Sequence, residues 1–324
     1  MVIRSVLQVR GRRELTEERH QRALLQGATF MIVLTTPTGQ IGRRTLDRLL
    51  AADAPVRVIV RDASRLPAAV RDRVQIVEGS HGDPDVIAKA FAGADTLFWL
   101  VPPIPQAPSV DDAYAGFSRP ALDALRTHSV ERVVSVSALG RGTPQAEHAG
   151  PVTASLALDD LLAATGVHHR ALVMPSFMEN LLRQTELIRS RGMFTSPVSG
   201  DRKMPTCAID DIAAVAADLL LDDGWTGVEE VPVLGPEDLS FAEMAEIMSE
   251  VLERPVRFQQ VPGADFRDRL LQFGSSEAMA QGMLDMMLAK DAGLDNGVTR
   301  TDRSSTPTSF RRWCEDVLKP AVLG

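Results

Sequence analysis

The sequence predicts an α/β fold, a doubly wound parallel sheet followed by a smaller, mostly helical C-terminal lobe. Three observations predict it. From Met31 onward, short β-rich runs alternate with helical runs. The strand candidates are nearly continuous apolar runs, as in a parallel sheet covered on both faces. The first of them runs through a glycine-containing turn into an amphipathic segment, and regular βα alternation implies right-handed crossovers and a doubly wound sheet.

The elements follow in order. Ile32–Thr35, Val56–Val60, Val74–Glu78, Thr96–Val101, Arg132–Val136 and His169–Met174 read as strands. Helical stretches lie between them at Gly42–Ala52, Pro84–Phe91, Ala113–Thr127 and Thr153–Thr165. Beyond Met174 the alternation loosens. Phe177–Arg191 reads as helix, Gly192–Pro205 as a Gly/Pro/Ser-rich loop, Asp210–Leu221 as helix and Val228–Leu234 as strand. Leu239–Leu252 and Phe266–Lys290 read as helices, with a strand at Val256–Gln260. A last helix, Ser309–Leu318, follows a Ser cap, and Asp210 is expected to cap the helix that begins there. The predicted organisation has three parts. Residues 1–30 form a loose upstream extension with a short charged helix, a docking arm being the alternative. Residues 31–176 form the sheet domain, with 206–236 returning to it. Residues 177–205 and 237–324 form the small lobe over the cleft.

Composition bounds the function. A chain of 324 residues with 44% hydrophobic and 24% charged residues is an ordinary globular one. Its net charge of −8 argues against nucleic acid or an anionic membrane as partner, since phosphate surfaces select basic patches. Cys207 and Cys314 are too few and too far apart in sequence for a disulfide framework or a zinc site. No metal site is expected, and no apolar run reaches the ~18 residues of a membrane span. A cytoplasmic protein is expected, monomer or homodimer, acting on a small molecule.

Met31–Gly42, MIVLTTPTGQIG, is where the chemistry begins. A glycine lets backbone approach a pyrophosphate, and a helix N-terminus offers free N–H groups and partial positive charge to it. Thr36, Thr38, Gly39, Gln40, Ile41 and Gly42 are therefore the expected phosphate turn of a dinucleotide site. A full G-x-x-G-x-x-G turn would carry glycine where this chain has Thr36. Arg61 lies nineteen positions after Gly42, at the end of the second strand. In such folds a carboxylate at that point takes the ribose 2′-hydroxyl of NAD, whereas arginine suits the 2′-phosphate of NADP. NADP(H) is preferred on this reading, although Asp62 follows directly.

At this point the chain resembles a family. TTPTGQIG, VRVIVRD, VEGSHGDPDVIAKAFAGADTLFWLVPP, RVVSVSALG, ALVMPSFMENLL and SGDRKMPTCAIDDIA keep the order of blocks of the NmrA-like branch of atypical short-chain dehydrogenase/reductases. The resemblance covers Met31 to the C-terminus and implies a Rossmann domain, a small substrate lobe and affinity for NAD(P). It assigns Arg61 to the cofactor. It sets Leu100, Val101 and Pro102 beneath the nicotinamide. It puts Ser80 or His81 where an acceptor for the adenine amino group usually stands. Ser137, at the end of the fifth strand, is the candidate catalytic and substrate residue; Phe177, Asn180 and Lys203 are further substrate candidates.

Acid–base residues are the notable omission. Short-chain dehydrogenases use a Tyr with a Lys four residues later, the lysine lowering the phenol's pKa. The single tyrosine, Tyr114, has Ser118 at that spacing, and Thr153–Thr165 contains no Tyr, Lys or His. Two functions stay open on sequence grounds. One is an NAD(P)H-dependent oxidoreductase passing hydride to a quinone-like or other conjugated acceptor without a Tyr–Lys pair. The other is a dinucleotide-binding redox-sensing regulator with no turnover.

Overall fold

The computed structural model describes residues 30–324. The expectations for the upstream extension concern residues outside that range, apart from Phe30, which packs against the first core cluster. Seven parallel strands form the main sheet: β1 Ile32–Thr35, β2 Val56–Val60, β3 Gln75–Glu78, β4 Thr96–Trp99, β5 Arg132–Ala138, β6 His168–Met174 and, after three short strands of the lobe, Val228–Pro232. The lobe strands are β7 Ser176–Phe177, β8 Met193–Ser196 and β9 Met204–Cys207, which makes Val228–Pro232 β10. The sheet order is β10-β6-β5-β4-β1-β2-β3. β1 therefore has β2 on one side and β4 on the other, and successive crossovers leave it in opposite directions. In sheets of this order, ligands bind beyond the carboxyl ends of the two strands at the reversal, here β1 and β4.

Side chains alternate across the sheet and divide the core. Ile32 and Leu34 face α1 (Gln40–Ala51) through Leu46, Leu49 and Leu50, with Ile212, Ala216 and Leu220 from the helix Ile209–Leu221. Val33 and Ile59 face the other way, onto Ile87 and Phe91 of α2 (Pro84–Phe91) and Ala121 and Leu125 of α3 (Phe117–Leu125). Burying both faces is what the continuous apolar strands require. α2 starts where Asp83 accepts from the N–H groups of Asp85 and Val86, with Pro84 at the first helical position. α4 (Pro151–Ala163) packs over β5 and β6, and α5 (Ile209–Leu221) lies on α1.

The lobe has its own core of Phe194, Met244, Met248, Phe310 and Trp313. Its helix α6 (Phe241–Leu252) opens on a capping box, Ser240 with Glu243. It also holds strands that periodicity missed, β7, β8, β9 and β11 (Asp238–Leu239). β8 pairs with β12 (Arg257–Gln260), the strand expected at Val256–Gln260, and β9 stands between β7 and β11. The stretch Gly192–Pro205, expected as loop, therefore contains β8 and the start of β9. Phe177–Arg191 is not one helix: β7 gives way to a 3-10 segment, Met178–Gln184, before the helix Thr185–Arg191. Phe266–Lys290 splits into Gly263–Gln272 and α7 (Glu277–Asp291), because Ser276 starts a fresh cap by accepting from the Met279 N–H. Asp210 does not cap α5. Glu179 holds the Ile209 N–H with both carboxylate oxygens, at 3.1 Å each, and Asp210 pairs with Arg48. Ser309 does cap its helix. Both cysteines are free and buried. No helix among the described residues is long and apolar enough to cross a membrane.

Candidate functional site

The turn between β1 and α1 is tight. Gly39 donates its N–H to the Thr36 carbonyl at 2.9 Å, and α1 begins with no side-chain cap. Thr36 has φ +52°, the left-handed conformation a glycine would adopt at this point. A β-branched residue there is strained by ~1–2 kcal/mol. Its hydroxyl is buried with no hydrogen-bond partner. Gly42 is demanded by packing, since a Cβ on it would lie 2.1 Å from the Thr36 oxygen. Gly39 is looser, at 3.3 Å from the same oxygen. An uncapped helix start, an unpartnered buried hydroxyl beside it and a turn held close by Gly42 suit an anionic phosphate.

Arg61 and Asp62 follow β2, both exposed. Asp62 accepts from the Ser64 N–H at 2.9 Å and its hydroxyl at 2.6 Å, which holds its carboxyl below the usual range. Arg61 has no hydrogen bond or ion pair among the described residues, so its guanidinium remains available. Ser80 is exposed and accepts from the Gly82 N–H. His81 turns inward instead of lying open. It is buried edge-on against Trp99 and Phe117, with Nε2 3.1 Å from the Leu100 carbonyl. Burial lowers its pKa to about 4, against the carbonyl's pull, with Arg61 adding to the depression. The neutral ring therefore donates its Nε2–H to Leu100. Thr35 completes the clamp: Oγ1 donates to the Phe98 carbonyl and accepts from the Leu100 N–H, both at 3.0 Å. Leu100 is fixed at N–H and C=O alike, and Val101 and Pro102 leave from that anchored point half-buried. Sequence reading missed Thr35 because it sits in an apolar run as an ordinary strand residue.

Ser137 and Ser135 project from β5 toward α4. Ser137 donates to Asp159 Oδ2 in a very short bond and lies 3.3 Å from the Ser155 hydroxyl. Ser135 is 3.2 Å from Asp159 Oδ1 and 2.8 Å from His169 Nε2. A polar chain thus runs Ser155–Ser137–Asp159–Ser135–His169 through the sheet–helix interface. Burial pushes the Asp159 carboxyl up to about 7, against the serine hydroxyls and Arg141. Burial also lowers His169 to about 4, aided by Arg170 and Arg141. Asp159 escaped the sequence reading, which searched this helix for Tyr, Lys and His. Its signal was an acid in an otherwise leucine-rich helix, four residues after Ser155 on the same face.

The remaining candidates lie apart. Phe177 is half-buried in β7 and Asn180 exposed in the segment after it. Lys203 is exposed, its ammonium on Glu243 of the α6 capping box at 2.6 Å. Tyr114 packs with Ala107, Ala113 and Met279, and burial raises its phenol pKa. α7 crosses above the β4 and β5 exits. Ser276 donates its N–H to the Pro105 carbonyl and its hydroxyl to that of Ala107, and Gly150 meets Gly282 so closely that a Cβ would lie 2.1 Å from the Gly282 oxygen.

A family model described as NAD(P)H-binding matches residues 37–223, and the NmrA-like family model matches residues 163–304. The chain is 30% identical over 290 residues to a (4-alkanoyl-5-oxo-2,5-dihydrofuran-3-yl)methyl phosphate reductase of Streptomyces griseus, spanning 87% of this chain and 96% of that one. It is 28% identical over 288 residues to an NAD(P)H azoreductase of Xenophilus azovorans, covering 88% and 96% of the two chains. The fold matches a Citrobacter triphenylmethane reductase complexed with NADP(H), with TM-score 0.73, 18% identity and coverage of 90% and 100%. The glycine turn at the reversal point of the sheet and these matches lead to one assignment: the chain belongs to the NAD(P)H-binding, NmrA-like family of atypical short-chain dehydrogenase/reductases.

Proposed function

We propose that the protein is an NAD(P)H-dependent oxidoreductase that reduces a quinone-like or otherwise conjugated small molecule and prefers NADP(H). The observation that carries it is the turn Thr36–Gly42 at the reversal point of the sheet, uncapped, with an unpartnered buried hydroxyl. Thr36, Thr38, Gly39, Gln40, Ile41 and Gly42 would hold the pyrophosphate. Arg61 would take the 2′-phosphate, because Asp62 is engaged by Ser64. Ser80 remains open for the adenine. Leu100, Val101 and Pro102, anchored through Thr35 and His81, would form the floor under the nicotinamide. Residues 31–176 with 206–236 would carry the cofactor, and the rest would close over the acceptor.

When bound, the reduced nicotinamide supplies hydride. The chain's own task is to position both molecules, exclude water with α7 and manage one proton. Ser137 is the group nearest the carboxyl end of β5 able to orient an acceptor oxygen or nitrogen. Phe177, Asn180 and Lys203 stand as further acceptor contacts. A conjugated acceptor spreads charge and asks little of a protein acid, which fits a chain without a Tyr–Lys pair. The sensing-regulator alternative is not favoured, since an azoreductase and a furanylmethyl phosphate reductase each align with this chain over 96% of their own length. Calorimetric titration of NADPH and NADH, followed by nicotinamide absorbance with quinones, azo dyes and triphenylmethane dyes, tests the reading. Tighter NADPH binding and turnover of at least one acceptor are expected; binding without turnover on any of them returns the sensor.

A further inference from the structure

We propose that Asp159 is the proton store of this active site, loading Ser137 so that the serine can protonate the reduced acceptor. The inference deepens the reductase reading and rests on it. It is carried by hydrogen-bond counting. A serine hydroxyl has one hydrogen. With Asp159 ionised, that hydrogen is held by Oδ2 and Ser137 turns only lone pairs toward the cleft. With Asp159 protonated, Oδ2–H donates to Ser137 Oγ, and the serine's own hydrogen is released toward an acceptor.

The burial gradient gives the chain a direction. Ser135 and His169 are each 1% exposed, Asp159 5%, and Ser137 and Ser155 7% each. The His169 end is the more deeply buried, and Ser137 lies near the carboxyl end of β5, where ligands of such sheets bind, so the proposal has protons exchange at the Ser137 end. The step balances as follows. A bound reduced nicotinamide would supply the hydride, leaving the acceptor as an anion on its oxygen or nitrogen. The Ser137 O–H bond breaks and its proton goes to that atom. The Asp159 Oδ2–H bond breaks, its proton closes the serine hydroxyl, and Asp159 is left as carboxylate. After product leaves, water in the open cleft returns one proton along the same two oxygens.

The surroundings favour this use of Asp159. Ser155 and Asp159 sit four residues apart on α4, one turn of helix, both toward Ser137. The charged or titratable groups around the carboxyl are Asp160 on α4, Arg141 after β5, His169 and Arg170 on β6 and Glu230 on β10. Arg141 is shared out, 3.0 Å from Asp160 and 2.5 Å from Glu230, and so gives Asp159 no dedicated cation. His169 Nε2 stands 3.9 Å from Oδ1, beyond hydrogen-bond reach. Of the two serine contacts on the carboxylate, the short one to Ser137 is the nearer to the carboxyl end of β5.

The test has a spectroscopic arm and a kinetic arm. In the cofactor-free protein, infrared difference spectra between wild type and Asp159→Asn should show a protonated carboxyl persisting to near-neutral pH. Its loss in the ordinary carboxylate range overturns the proposal, and wild type without any such band overturns it even if the variant does not fold. With NADPH and a naphthoquinone or azo dye, wild-type kcat should fall as pH rises through neutrality. Asp159→Asn should lower kcat at least about tenfold, keep KM for NADPH within about twofold and flatten that pH limb, since asparagine can orient the serine but not load it. Combining it with Ser137→Ala should cost no more than Ser137→Ala alone. An unchanged kcat and pH profile in Asp159→Asn, with wild type active, overturns the relay alone. Wild type that binds NADPH and reduces no acceptor overturns the reductase reading and the relay together.

Discussion

Arg61 and Asp62 stand side by side at the exit of β2, and their hydrogen bonds separate their roles. The aspartate is spent on the turn at Ser64, while the arginine is left to the solvent. Arg61→Ala is expected to weaken NADPH by roughly ten- to a hundredfold, as for loss of charge-assisted bonds of ~1.5–3 kcal/mol, and to leave NADH nearly unchanged. Calorimetry with both cofactors checks it, and an equal loss for the two would make Arg61 structural. The buried histidines make a separate prediction about acid stability. His81 and His169 are held near 4 in the fold against 6.5 in the unfolded chain. The unfolded chain therefore takes up their protons first, and stability is lost as pH falls from 6.5 toward 4. Asp159 works in the opposite sense. Its folded value near 7 lies above its ordinary 3.8, so its contribution is full at low pH and fades as pH rises through 7. Glu179, also raised by burial, pulls the same way as Asp159, so the imidazole contribution is read from a substitution and not from the net slope. His81→Gln keeps an N–H for the Leu100 carbonyl and should reduce the slope of stability against pH by about one proton, ~1.4 kcal/mol per pH unit. Urea unfolding across that range measures it.

At the scale of elements, the glycine turn shows what the sequence could and could not say. The two glycines look equivalent in TTPTGQIG, yet only Gly42 is sterically forced. Gly42→Ala should cost ~1–3 kcal/mol of stability through displacement of the Thr36 carbonyl, and Gly39→Ala clearly less. Denaturant midpoints of the two variants decide it; equal losses would mean the turn relaxes more readily than its packing implies. The sheet strands were legible because burial on both faces writes itself as unbroken apolar runs, and β1, β2 and α2 fall at the predicted residues. The lobe was less legible. β7, β9 and β11 are two to four residues long and gain their pairing from distant partners, so no local period marks them. The break after Gln272 was hidden by helical spacing on both sides. Ser137 was legible as a strand-end polar residue, but Asp159 was not, because its partners come from β5 and its meaning from burial.

Across the whole molecule, the lobe reaches the sheet domain through α7, which spans from the loop after β4 to the loop after β5. Ser276 fastens one end and the Gly150–Gly282 crossing the middle, and the Ser199 N–H and hydroxyl bind Asp291 beyond it. Gly150 has φ +51° and no space for a methyl. Gly150→Ala should therefore lift α7 from the cleft and speed proteolytic cleavage within 263–291 about tenfold or more, with KM for the acceptor rising. Native-state proteolysis at low protease concentration reads the effect. An unaltered cleavage rate would show that the helix is held by its ends alone.

The two buried cysteines carry a consequence for the kind of molecule this cleft is proposed to handle. Conjugated quinones are electrophiles that arylate thiolates, and only the thiolate attacks. Burial raises the pKa of Cys207 and Cys314, so both stay protonated as well as out of reach. With no other cysteine in the chain, a reactive acceptor of the kind proposed would meet no thiolate of this protein before it is reduced.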